Sequence, residues 1–169
     1  EGKSTEKDFD RTCEQVVMTI IRGSEDVRIP FAVFKATGLM RASLLEKVST
    51  GKALEPHQKV EWDSAMSRVR RICQSASDNK MPVLVDAEES WIQPAIDAFV
   101  VQMMREFNRN EAIVYNTYQL YRTDRLAFLK QDHANAKAQG YLLGAKLVRG
   151  AYMEKEHDRA RKKGYPSPI

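Results

Sequence analysis

Short apolar runs rich in β-forming residues recur along this chain, and a helix-length amphipathic segment separates each run from the next. The runs are Ile29 with residues 31–34, residues 83–85, residues 112–115, and the centre of the stretch GAKLVRGAY at 144–152. Strands joined through single helices must lie parallel, because a right-handed crossover is the connection that packs back on the sheet. Such a sheet needs cover on both faces. The expected class is therefore α/β with about four parallel strands.

The helical segments carry their own boundary signals. Phe9, Cys13, Val16, Val17 and Ile20 fall at helical spacing over residues 3–21, and Gly23 follows as an expected C-cap. Residues 41–54 are mixed, reading as a short helix and a loop. A long helix is predicted over 56–77, ended by Asp78-Asn79, with Val60, Met66, Val69, Ile72 and Cys73 among its apolar positions. Ser90 and Gln93 have capping-box spacing for a helix running to Phe107. Asp124 can cap a helix that ends before Gly140. The last helix starts near Tyr152, with Glu154 and Glu156 early and Arg161, Lys162 and Lys163 late, as the macrodipole favours, and stops at Gly164.

Composition removes several functions. With 169 residues, 43% hydrophobic and 30% charged, the chain can build one core and shows no disorder signature. Its net charge of +4 comes from basic residues interleaved with 23 acidic ones, without the basic stripe that nucleic acid requires. Weak peripheral attraction to anionic lipid is compatible with that charge. Cys13 and Cys73 lack metal or redox spacing and read as buried thiols. His57, His133 and His157 have no ligand spacing and read as surface residues. No run approaches the ~20 apolar residues of a membrane helix. The sequence contains no GxGxxG, P-loop or GxSxG.

The polar residues fall where the strands end: Lys35 after Ala32-Val33-Phe34, Asp86 after Val83-Leu84-Val85, Asn116 after Ile113-Val114-Tyr115, and Lys146 to Arg149 on the fourth run. Each alone has an ordinary explanation, such as a turn residue or a snorkelling lysine. Glu88 and Glu89 read as first-turn helix charges. Together, the strand-end residues match a (βα)8 barrel, where side chains from successive strands meet at the carboxyl-end mouth. Two chemistries suit a lysine and an aspartate there. The lysine can pair with a substrate carboxylate while another cation stabilises charge on a reduced flavin. Alternatively, a desolvated lysine forms a Schiff base while Asp86 moves protons. Spacing leaves both open.

Read together, VFKATGL, VLVDAEESWIQPAID, IVYNTYQLY and GAKLVRGAYMEKE resemble successive barrel strands of the proline dehydrogenase family, nearest its eukaryotic-type monofunctional branch. The opening EGK resembles the end of that family's DYxxEGK stretch. The resemblance implies an FAD enzyme that oxidises L-proline to 1-pyrroline-5-carboxylate, by hydride transfer to flavin N5, and passes electrons to quinone. It implies Asp86 and Lys146 as catalytic residues, with Lys146 near N5 where many bacterial members have Arg. Lys35 would hold the proline carboxylate, and Tyr152 would face the substrate. Ala87, Val114, Asn116, Val148, Arg149, Gly150 and Ala151 would contact or border the FAD, Asn116 standing where many bacterial members have Gln. A peripheral membrane location is implied: the matrix side of the mitochondrial inner membrane in a eukaryote, the cytoplasmic side in a bacterium.

The family's barrel has eight strands, and this chain is expected to supply roughly the second to the fifth. A half barrel leaves two open edges and an unfilled interior. The expectation is a fragment of a longer chain, or one part of a split or cleaved enzyme needing complementing segments. Open alternatives are hydroxyproline as substrate, a non-catalytic barrel half, and a Schiff-base lyase.

Overall fold

A computed structural model describes residues 5–169. The expected helix start at Lys3 and the EGK stretch lie outside the described residues. Helix α1 (Glu6–Ser24) opens with Thr5 and Asp8 in a reciprocal capping box. The expected stop at Gly23 is corrected, because the helix runs on to Ser24. Gly23 is instead a packing residue: a Cβ there would stand 2.9 Å from Met81 Cε.

Strand β1 (Ala32–Lys35) runs into a 3-10 turn (Ala36–Gly38), then α2 (Ala42–Ser49) and α3 (Pro56–Asp78). Next come β2 (Val83–Asp86), α4 (Gln93–Phe107), β3 (Val114–Gln119), α5 (Arg125–Gln139), β4 (Ala145–Val148) and α6 (Met153–Lys163). The four strands form one parallel sheet in the order β1-β2-β3-β4, so β1 and β4 are its edges. This is the expected α/β architecture.

Register decides which side chains share a face. Phe34, Val85, Asn116 and Ala145 are mutual partners across the sheet and point one way. Side chains alternate along a strand, so Lys35, Asp86, Thr117 and Lys146 point the other way. Helices cover the first face. There Phe34, Val83, Val85 and Val114 pack with Val69, Ile72, Ile96, Phe99 and Met103 of α3 and α4 in one buried cluster. The expected cover on the second face is corrected, since none is present among the described residues: in the row Val33-Leu84-Tyr115, Val33 is 46% exposed. A parallel sheet clothed by helices on one face alone is the geometry of a barrel wall.

Two boundary expectations are corrected. Strand β3 extends to Gln119 rather than ending at Tyr115. The capping box at Ser90 and Gln93 does not form, because Ile92 is the N-cap of α4 and makes no side-chain cap bond. Ser90 instead donates its N–H and hydroxyl to the buried Glu156 carboxylate of α6, both at 2.6 Å. Arg159 of α6 pairs with Glu46 and stacks 4.2 Å over Trp91. Helix α6 thereby reaches from β4 back to the β1–β2 side of the sheet. Cys13 and Cys73 are buried free thiols, and all three histidines are exposed, as expected.

Candidate active site

The inner-facing residues at the carboxyl ends of the strands enclose a pocket of about 360 Å³. Lys35, Asp86, Thr117 and Lys146 form its floor, and Val148, Gly150, Ala151 and Tyr152 form one wall. Among the described residues, clefts of 610 Å³ between α1 and α3, 510 Å³ between α4 and α5 and 380 Å³ between α3 and α4 have larger volumes. Ion pairs already engage charged groups that line them: Arg68–Asp10 and Arg71–Glu14 in the first, Arg125–Asp97 in the second and Arg70–Glu106 at the third.

Lys146 donates to Asp86 Oδ1 at 2.6 Å, a partly exposed ion pair joining β4 to β2 across the mouth. A cation in the buried-looking run of β4 is thus explained by a carboxylate two strands away. Arg149 follows the strand and is exposed. Lys35 Nζ donates to the Tyr152 hydroxyl at 3.4 Å and lies 5.9 Å from that ring's centroid. The bond to Tyr152 holds the Lys35 ammonium above the ordinary lysine value, outweighing the opposing pull of burial.

Six of the expected site positions converge with Lys35 and Asp86 in this pocket: Ala87, Lys146, Val148, Gly150, Ala151 and Tyr152. Arg149 does not line it, nor do Val114 and Asn116. Both side chains face α4 and are 0% exposed, and Asn116 Nδ2 donates to Asp97 Oδ1 of α4 at 2.8 Å. Alternation is the physical reason, since Thr117, one residue on, is the partner of Lys146.

Sequence reasoning missed Thr117 and Gln119, which line the pocket from the extended end of β3. Counting in twos from the inner-facing Tyr115 reaches both. It also missed Glu88, which is 4% exposed and bonded to Thr37 rather than free in a first helical turn.

A cofactor ring bound here would meet both charge and apolar surface. Lys146 presents its cation to the pocket, and Ala87 and Val148 line it with apolar surface. The Gly150 backbone is open, because a Cβ there would meet only Met153 Sδ, at 3.7 Å. Among the described residues, no cluster of His, Cys, Asp and Glu could hold a metal ion.

Residues 1–169 match the proline dehydrogenase family along their whole length. The chain belongs to that family. Among curated proteins, this family member is 36% identical over 156 residues to the carbapenem antibiotics biosynthesis protein CarD of Pectobacterium carotovorum subsp. carotovorum, covering 92% of the chain and 42% of CarD. It is 40% identical over 116 residues to mitochondrial proline dehydrogenase 1 of Drosophila melanogaster, covering 69% of the chain and 17% of that protein. It is 41% identical over 128 residues to hydroxyproline dehydrogenase of Xenopus laevis, covering 75% of the chain and 28% of that protein. A crystal structure of a bifunctional proline utilization A protein superposes with a TM-score of 0.81 at 20% identity, over 100% of this chain and 17% of that one. The four-stranded sheet is therefore part of a proline dehydrogenase barrel, and the chain spans 17% to 42% of these relatives' lengths.

Proposed function

We propose that this chain supplies the part of a proline dehydrogenase active site that binds the substrate carboxylate and one edge of the flavin, within a barrel completed by further segments. The convergence of Lys35, Asp86 and Lys146 in one pocket carries this reading. Lys35 keeps its proton, as a carboxylate-binding cation must, whereas a Schiff-base lysine needs a lowered pKa. Its bond to Tyr152 is long at 3.4 Å, so an entering carboxylate displaces a weak partner. Asp86 fixes the Lys146 ammonium at 2.6 Å, and this aims the cation at the pocket. Tyr152 then packs on the substrate ring, and Val148, Arg149, Gly150 and Ala151 border the cofactor. FAD, when bound, would supply the two-electron acceptor, hydride leaving proline C5 for N5 and a proton leaving the ring nitrogen for solvent, with quinone receiving the electrons afterwards. The product is 1-pyrroline-5-carboxylate.

The Xenopus relative's name supports a second substrate, hydroxyproline, which differs only on the ring. No helix among the described residues is long and apolar enough to cross a membrane, and the proposed association is peripheral. The mitochondrial relatives support a mitochondrial location for a eukaryotic source, where the proposed face is the matrix side of the inner membrane, and in a bacterium it is the cytoplasmic side. The test is steady-state oxidation of L-proline and hydroxyproline by the flavin-loaded, completed barrel. Loss of a charge-assisted bond in Lys35→Ala should raise KM about ten- to a hundredfold. An unchanged KM refutes the assigned role of Lys35.

A further inference from the structure

Lys35 and Asp86 are the last partners of the β1–β2 ladder, so no strand pairing holds the chain beyond them. Each strand leads into a turn: Ala36–Gly38 after β1, and residues 87–92 between β2 and α4. One side chain joins these two turns. Glu88 Oε1 accepts the Thr37 N–H at 3.0 Å, and Glu88 Oε2 accepts the Thr37 hydroxyl at 2.6 Å. Thr37 stands two residues after Lys35 and Glu88 two after Asp86, so the clamp sits two residues past the pair it spans.

The backbone of Glu88 extends the tie. Its N–H donates to Gln93 Oε1 at 2.9 Å, at the start of α4. Its carbonyl accepts from Gln119 Nε2 at 2.6 Å, at the end of β3. A carboxylate that is 4% exposed is costly unless its lone pairs are used, and here they bind across two loops. A helix-cap role does not account for it, because α4 begins only at Gln93.

We propose that Glu88 is a positioning residue that sets the separation of Lys35 and Asp86 by clamping the turns beyond β1 and β2. It touches neither substrate nor cofactor, and it acts through Thr37 on Lys35. The inference rests on the proposed carboxylate-binding role of Lys35, but its structural half can be read without catalysis.

Backbone 1H–15N spectra and amide exchange of the completed barrel, with and without Glu88→Gln, supply that reading. The amides of Thr37, Lys35 and Asp86 should shift together, and Thr37 exchange should accelerate about ten- to a hundredfold. Core amides of α3 and α4 should stay protected. Thr37→Val, which removes only the hydroxyl, should shift Lys35 and Asp86 in the same direction, and the double variant should fall short of the sum. A change confined to Thr37 overturns the positioning role, and no change at Thr37 overturns the clamp. In the flavin-loaded, completed barrel, Glu88→Gln should raise the KM for L-proline about tenfold, with kcat per bound flavin nearly unaltered. A loss of kcat in step with lost flavin would mark Glu88 as merely structural. An unaltered barrel that fails to oxidise proline overturns the proposed function, while the amide spectra still decide the clamp.

Discussion

Removing the Asp97 carboxylate should cost more stability than any exposed substitution in this chain. Asp97 is 4% exposed; its Oδ1 accepts from Gln93 Nε2 at 2.9 Å and Asn116 Nδ2 at 2.8 Å. Its Oδ2 accepts from Arg125 Nη2 at 2.8 Å. Arg125 is 3% exposed, its guanidinium 4.0 Å from the Phe128 ring centroid, so Asp97→Ala strands a buried cation and two amides. Breaking such a pair costs about 3–5 kcal/mol. At ~2–4 °C per kcal/mol for a chain of this size, Tm should fall by roughly 6–20 °C. Urea unfolding followed by circular dichroism reads the free energy, with Arg125→Met as the reciprocal single variant. The double variant Asp97→Leu/Arg125→Met replaces both charges by apolar groups and should return to within about 1–2 kcal/mol of the parent. A cost for Asp97→Ala below about 1 kcal/mol, or a double variant no better than the single, refutes the reasoning.

Gly144→Ala should destabilise the β3–β4 pairing, because a Cβ there would lie 2.3 Å from the Val114 carbonyl oxygen. A loss of about 1–3 kcal/mol in urea unfolding, with faster amide exchange in β4, checks this. Burial pushes the Asp132 carboxyl above its ordinary 3.8, so the native state holds the proton over a range where the unfolded state has lost it. Stability from this group is full below 3.8 and is lost as pH rises through the raised value. Asp132→Asn still accepts from the Tyr118 hydroxyl, and it should flatten the fall of Tm from pH 3.8 upward relative to the parent. Glu88→Gln should flatten it in the same sense, since burial also raises the Glu88 carboxyl. Asp86→Ala in the flavin-loaded barrel should lower kcat about ten- to a hundredfold by freeing the Lys146 ammonium, and normal turnover of L-proline sinks the role given to that pair.

The fold was legible where local pattern and long-range need agree. Val83-Leu84-Val85 is apolar because helices cover one face and the barrel interior lies on the other, and Asp86 breaks the run where the ladder ends. The end of β3 was harder to read, because Asn116-Thr117-Tyr118-Gln119 resembles a polar loop. Those residues are strand because partners distant in sequence satisfy them: Asn116 by Asp97, Thr117 by the Val85 carbonyl, and Tyr118 by Asp132. The same blindness to distant partners made Ser90 look like a helix cap, when its partner is Glu156, 66 residues away. It also gave Glu88 to a helical turn, when its partner is Thr37. Lys35, Asp86 and Lys146 were legible as a group because each closes or enters an apolar run, which is where barrel chemistry collects.

The most direct measurement is the visible spectrum of this chain assembled with segments that complete the barrel, recorded before and after anaerobic addition of L-proline. Flavin bands near one equivalent per assembly, bleached by L-proline and retained without it, are the expected result. An assembled barrel that binds no flavin, or whose flavin L-proline leaves oxidised, contradicts the proposed active site.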